Sequence, residues 1–348
     1  MKPLSKFALA VFMATLTGAP PSLACSRITY TGPDHMIVTG RSMDWMVPVH
    51  TNLWAFPAGT ARDGAAVDHS LTWTSKYSSV IAAAYDAATT DGINEKGLVA
   101  NLLYLGTADY GVRNKAQPGL SIAGWAQYVL DNFATVDEAV NALRAEPFQL
   151  VLPELPGGFK PALHLAISDA TGDSAIFEYL SGKLVIHHGH QYAVMTNEPS
   201  YDQQLALNTY WQEIGGTAML PGTERPADRF VRASYYLGEA PKTADPVLSV
   251  AAMFSIVRNV SVPMGAQRPG APNVAPTLWR TVADHKNRIY YFEATTSPNV
   301  FWVSFDKVDI KPGGPAMRLP VDDGPVWAGD VAGSFKAADV FRFLPAKS

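Results

Sequence analysis

Cysteine is nearly absent: the 348-residue chain has one, Cys25. An internal disulfide is therefore excluded, and stability has to come from packing. Metal-binding spacings are missing too. There is no second thiolate, no HExxH and no comparable spacing, so neither a metal site nor a cofactor is expected. An excess of either charge is missing as well, with 27 Lys and Arg against 31 Asp and Glu. Without a basic patch, nucleic acid is excluded as a partner class. No stretch after residue 24 reaches the ~18 apolar residues of a membrane span. Repeats, low-complexity tracts and internal linkers are missing too. What the chain does have is 47% hydrophobic and 11% aromatic residues, enough for a large core.

The first 24 residues differ from the rest. Lys2 and Lys6 lie ahead of a short apolar run over 7–19, and Pro20-Pro21 stops any helix. Ser22 and Ala24 put small residues third and first before Cys25. This is the pattern of a secretory signal peptide, too short for a spanning helix. It predicts cleavage after Ala24, a periplasmic location, and one domain over 25–348. Loss of two lysines takes the formal charge from −4 to about −6. A cysteine at such a junction can instead be lipidated, which blocks its amine. Lipoprotein signals place Leu where Ser22 stands, and Leu23 is one position late.

Cut after Ala24, Cys25 carries a thiol and a free α-amine on one residue. Their reference pKa values, about 8.5 and 7.7–8.0, both lie near neutrality. Proton transfer between them therefore costs little, and one residue supplies nucleophile and base. The alternative for a lone thiol is a buried, inert side chain, which a chain terminus does not favour. Such a site further needs a group that orients the amine, positive charge near the thiol and donors for an oxyanion.

Residues 26–30 and 36–39 read as strands around the turn Thr31-Gly32-Pro33-Asp34, a hairpin ending at Gly40 that returns Arg41 to Trp45 towards Cys25. Strands are expected at 71–74 and 78–85, a turn at Asp91-Gly92, then Asn94-Glu95-Lys96-Gly97 before the apolar run 98–105. Helical spacing marks 121–130, the segment after the cap Thr135, 227–237 and 247–257. Further strands fall at 163–168, 174–180, 183–187, 192–196, 277–282, 289–292 and 300–305. His187, His188 and His190 read as a solvated loop. Strand-rich ends around a helical middle indicate an α+β layered architecture.

The chain resembles the choloylglycine hydrolase family, penicillin V acylases and bile salt hydrolases among the N-terminal nucleophile (Ntn) hydrolases. The stretches that carry this are Cys25-Ser26-Arg27, Gly40-Arg41-Ser42-Met43-Asp44-Trp45, Asn94-Glu95-Lys96-Gly97-Leu98, Thr196-Asn197-Glu198-Pro199 and Asp228-Arg229-Phe230-Val231-Arg232, in the family's order. The resemblance implies a four-layer αββα sandwich and hydrolysis of a linear amide through a thioester. It implies Cys25 as nucleophile and base, and Asp44 as hydrogen-bond partner of the α-amine. Arg41 and Arg229 would favour the thiolate, with Arg232 the other arginine for the second place. Asn197 and the backbone N–H of Tyr104 would be oxyanion donors.

The resemblance implies a small acyl amide as substrate. Tyr104 matches penicillin V acylases, where bile salt hydrolases tend to carry Asn. A ring there suits an aromatic or fatty acyl group, and Trp45 and Trp73 are candidates for the same pocket. The stretch between Asn197 and Arg229 is short beside Gram-positive members, which insert a subunit-assembly hairpin there. This resembles the Gram-negative cluster, whose members also act on N-acyl homoserine lactones, and it leaves the family's homotetramer open. A bile salt hydrolase is the alternative within the class. A lipidated, non-catalytic binding protein is the alternative outside it.

Overall fold

The computed structural model describes residues 25–154, 161–216, 218–265 and 275–346; the leader reading lies outside them. Two antiparallel-rich sheets face one another. One runs Val194–Met195, Ser26–Thr31, Ile37–Asp44, Thr277–Asp284, Ile289–Ala294, Phe301–Ser304, Gly329–Asp330. The other runs Lys183–His188, Ser174–Leu180, Leu163–Ser168, Val99–Tyr104, Ala88–Asn94, Ser79–Ala84, Asn52–Phe56, Met317–Leu319, Lys336–Ala337. Helices Pro226–Glu239 and Pro246–Asn259 cover the outer face of the first sheet, and Trp125–Asn132 and Val136–Leu143 that of the second. The result is the four-layer αββα sandwich.

The period of two along each strand sorts side chains into two cores. On Ser79–Ala84, Val80 and Ala82 join the core that holds Cys25, Ile28, Val99 and Ala166. Ile81 and Ala83 join Ala100, Leu102, Trp125 and Val129 on the other side. Both faces are apolar because both are covered, which is why this strand reads as an unbroken hydrophobic run.

Three local expectations are corrected, and one helix was missed. His187 and His188 are not a solvated loop: they end strand Lys183–His188, where His187 is buried and meets Asp202 and His188 meets Asp173. The strand after the first hairpin does not end at Gly40 but continues to Asp44. A Cβ at Gly40 would stand 2.5 Å from Met253 Cγ, so the glycine lets helix Pro246–Asn259 approach the sheet. Asp91-Gly92 is no turn; it lies inside strand Ala88–Asn94, and the chain reverses at Tyr85-Asp86 instead. Helix Tyr201–Ile214 was not foreseen. Few of its residues are buried, Tyr201 and Gln204 among them, so the apolar spacing that betrays a core-facing helix is weak. By contrast Thr135 does cap Val136–Leu143, its side chain accepting from Glu138 N. The turn after Asn94 is held by Asn94 Oδ1, which accepts from Lys96 N and Leu98 N at 3.0 Å, and its amide reaches the carbonyls of Leu130 and Phe133. This motif is a structural clamp.

Candidate active site

The hairpin register pairs Ser26 with Ser42 and Arg27 with Arg41. Cys25 therefore lies beside Met43 and Asp44, at the edge where the sheet meets the rest of the site. Its thiol sits on the Asp44 backbone: Asp44 N–H donates to Sγ at 3.5 Å and Sγ–H donates to the Asp44 carbonyl at 3.7 Å. The Cys25 N–H donates to Asn197 Oδ1.

Arg229, fully buried, ties these groups together. Nη1 donates to the Cys25 carbonyl at 2.8 Å and to Ser26 Oγ at 2.6 Å, and Nη2 donates to Asn197 Oδ1 at 3.0 Å. Its guanidinium also lies 3.6 Å from Asp44 Oδ2. Arg232, three residues on, turns to the carbonyls of Pro221 and Thr223; the arginine at the site is Arg229. Asp44 accepts from Thr277 Oγ1 at 2.5 Å and Ser42 Oγ at 3.4 Å. The Cys25 nitrogen thus meets the Asn197 side chain in this structure, while the Asp44 carboxylate engages Thr277, Ser42 and Arg229. The difference has a covalent reason. In the uncut chain that nitrogen is a peptide amide with a single hydrogen.

Burial dominates the electrostatics. Desolvation pushes the Cys25 thiol above its ordinary pKa, against the pull of Arg41 and Arg229, and Asp44 adds to the rise. The expectation that these arginines favour the thiolate holds for the direction of their effect, but they do not outweigh burial. In the uncut chain burial thus favours the neutral thiol over the thiolate. Burial also pushes the Asp44 carboxyl up to about 6, with Arg229 opposing.

Arg41 projects from the first sheet into the second, donating to the carbonyls of Thr90 at 3.1 Å and Leu102 at 2.7 Å. It lies 3.7 Å from Asp91, itself held by Tyr290 and Asn101, and over the Trp279 ring. Tyr104 ends strand Val99–Tyr104, and its carbonyl accepts from Asn197 Nδ2 at 2.8 Å. This hydrogen bond orients the Asn197 amide, which carries a second N–H.

A cleft of about 640 Å³ opens beside the thiol, lined by Cys25, Met43, Trp45, Leu102, Tyr104 and Leu163 among others. Its lining is largely apolar, as small-molecule sites are. Trp45 stands edge-on to Tyr104, ring centroids 6.1 Å apart. Trp73 is not part of this wall. It packs against Tyr128 and Phe343 and donates its indole N–H to Asp131 at 2.8 Å, because strand Thr72–Thr74 belongs to a separate two-stranded sheet. Tyr85, which also lines the cleft, went unnoticed in the sequence, where nothing marked residues 85–86 as a turn.

A sequence model of linear amide C–N hydrolases, choloylglycine hydrolase family, matches residues 25–318. The chain belongs to the choloylglycine hydrolase family. It is accordingly a linear amide C–N hydrolase. It is 50% identical to a penicillin V acylase of Pectobacterium atrosepticum over 97% of this chain and 96% of that protein. A solved penicillin V acylase from Agrobacterium tumefaciens superposes with TM-score 0.86 and 52% identity, over 92% of this chain and 99% of the other. The bile salt hydrolase/transferase of Clostridium perfringens is more distant, 26% identical over 63% of this chain and 73% of its own length. Within the family the chain is thus penicillin V acylase-like.

Proposed function

We propose that export removes residues 1–24 and leaves Cys25 as the first residue of a periplasmic amidase that cleaves the side-chain amide of penicillin V and, at the same site, N-acyl homoserine lactones. The family match begins at Cys25, and the relatives similar over nearly their whole length are penicillin V acylases. One observation carries the reading. The thiol and the nitrogen of Cys25 lie together at the foot of an apolar cleft, with Asn197 and Arg229 on the nitrogen side.

Cleavage after Ala24 converts a non-basic peptide nitrogen into an amine. As a neutral amine it keeps the Asn197 acceptor, gives its one added hydrogen to Asp44, and has a lone pair free. It takes the thiol proton as Sγ bonds to the amide carbonyl carbon. The carbonyl π pair moves to oxygen, which the second Asn197 Nδ2–H and the Tyr104 backbone N–H stabilise. The C–N bond then breaks, and the ammonium of Cys25 returns its proton to the leaving nitrogen. A thioester remains. The same amine deprotonates a water that attacks the thioester, and sulfur leaves with the proton restored. Arg229 keeps the Cys25 carbonyl and the Asn197 side chain in place throughout.

Intact mass and N-terminal sequencing of the exported protein test the first step, and a panel of penicillin V, an acyl homoserine lactone and glycocholate tests the second. A free Cys25 and hydrolysis lost in Cys25→Ser are the expected results. A retained residue or a lipid on Cys25 removes the base, and the reading falls with it.

A further inference from the structure

Tyr85 has a backbone conformation that its side chain does not favour. Its φ is +55° and that of Asp86 is +48°, in the tight reversal between strands Ser79–Ala84 and Ala88–Asn94. Asp tolerates the left-handed region; a bulky aromatic residue there is an outlier. Such strain persists only where the surroundings over-determine it, and it concentrates at functional sites. Here the clamping is explicit. Tyr85 N–H donates to the Val49 carbonyl at 2.7 Å, Ala87 N–H to Ala84 at 3.0 Å, and Leu344 N–H to Ala87 at 2.8 Å. The Asp86 carboxylate accepts from Trp54 Nε1 at 2.7 Å, and from Asn52 Nδ2 and Arg318 Nε at 3.1 Å.

An Asn or Gly at position 85 would form this reversal with less strain. What tyrosine adds is a ring, and the ring is at the cleft. Tyr85 lines the cavity that holds Cys25, yet is 41% exposed, so it stands at the mouth. The Trp45 side chain hydrogen-bonds the Tyr85 hydroxyl, and Trp45 in turn meets Tyr104 edge-on. The outer side of Tyr85 faces the His50 ring, centroids 6.2 Å apart. Tyr104, Trp45 and Tyr85 make one aromatic wall running from the residue that contacts Asn197 out to solvent.

We propose that Tyr85 is a specificity-determining residue, held in its strained turn so that its ring receives the aryl end of the acyl group at the cleft mouth. This rests on the amidase reading above. It assigns the preferred substrates as amides of aryl-terminated acyl groups, with the ring lying against Tyr85 and Trp45 and the carbonyl at Cys25.

The test compares the processed wild-type enzyme, Tyr85→Gly and Tyr85→Phe on phenoxyacetyl and acetyl amides of one chromogenic amine, with thermal unfolding alongside. Tyr85→Gly should raise KM for the phenoxyacetyl amide about tenfold, the scale of one lost aromatic contact. Its kcat/KM for the acetyl amide should stay within about twofold of wild type, and its Tm should be equal or higher, because glycine adopts positive φ freely. Tyr85→Phe, which keeps the ring, should stay within about threefold on both substrates. An unchanged phenoxyacetyl-to-acetyl ratio in Tyr85→Gly, or an equal loss on both substrates with a lower Tm, would reduce Tyr85 to a turn residue and overturn the assignment while the amidase reading stands. A wild-type enzyme that cleaves neither amide would overturn both.

Discussion

Replacing Asn197 separates its two duties. The side chain accepts from Cys25 N and from Arg229 Nη2, and it donates to the Tyr104 carbonyl. All of these groups are buried. Asn197→Ala leaves them without that partner, at roughly 1–3 kcal/mol each where no water replaces it. Part of that is recovered by relaxation, so a loss of about 3–5 kcal/mol and a Tm lower by roughly 4–7 °C are expected. If the second Nδ2–H also holds the oxyanion, kcat should fall about 10²–10³-fold. Asn197→Asp separates the two effects. A carboxylate still accepts from Cys25 and Arg229, but its other oxygen meets the Tyr104 carbonyl acceptor to acceptor, so only part of the stability should remain. It has no hydrogen to donate, so kcat should fall as far as in the alanine variant. The assay is single-substrate turnover at saturating penicillin V, normalised to alkylatable Cys25, with calorimetry on the same samples. Retention of kcat within about threefold in Asn197→Asp would refute the donor role.

Two further outcomes follow from other groups. The buried Asp44 carboxyl sits at about 6 against a reference near 3.9. Protonated Asp44 thus contributes stability that is full below about pH 4 and is lost as pH rises through 6, about 3 kcal/mol in all. Asp44→Asn cannot titrate, so its Tm difference from wild type should change across pH 4–7; parallel curves would contradict the shift. Trp73→Phe removes the hydrogen bond to buried Asp131 and should lower stability by about 1–2 kcal/mol with KM unchanged. A clear rise in KM would return Trp73 to the substrate wall.

The parts of the site that could be read in advance are those with a local signature. The strand hairpin that brings Arg41 and Asp44 back to Cys25 follows from alternating residues and a Gly-Pro turn. The cap at Thr135 and the turn at Asn94-Glu95-Lys96-Gly97 use side-chain hydrogen bonds between near neighbours. Where the reading failed, the residues had reasons that lie across the fold. Gly92 looked like a turn glycine, yet it sits in a strand where a Cβ would stand 2.5 Å from Ile81 Cγ2. Tyr85 gave no sign of a turn because the positive φ is imposed by Val49, Asn52, Trp54 and Arg318, not by its own chemistry.

By itself the sequence determined that there is one thiol, that it stands at a cleavage-like junction, and that strands and helices of these lengths stack in layers, since periodicity and composition are properties of short windows. Only the tertiary structure decided that Arg229 and not Arg232 reaches Cys25, that Trp45 and Tyr85 but not Trp73 line the cleft, and that burial raises the thiol against the pull of the arginines. Those outcomes depend on contacts such as Arg229 to Cys25, 204 residues apart, and on the register and packing of two sheets. No local pattern encodes them, because hydrogen bonding and desolvation act on distance in space, not along the chain.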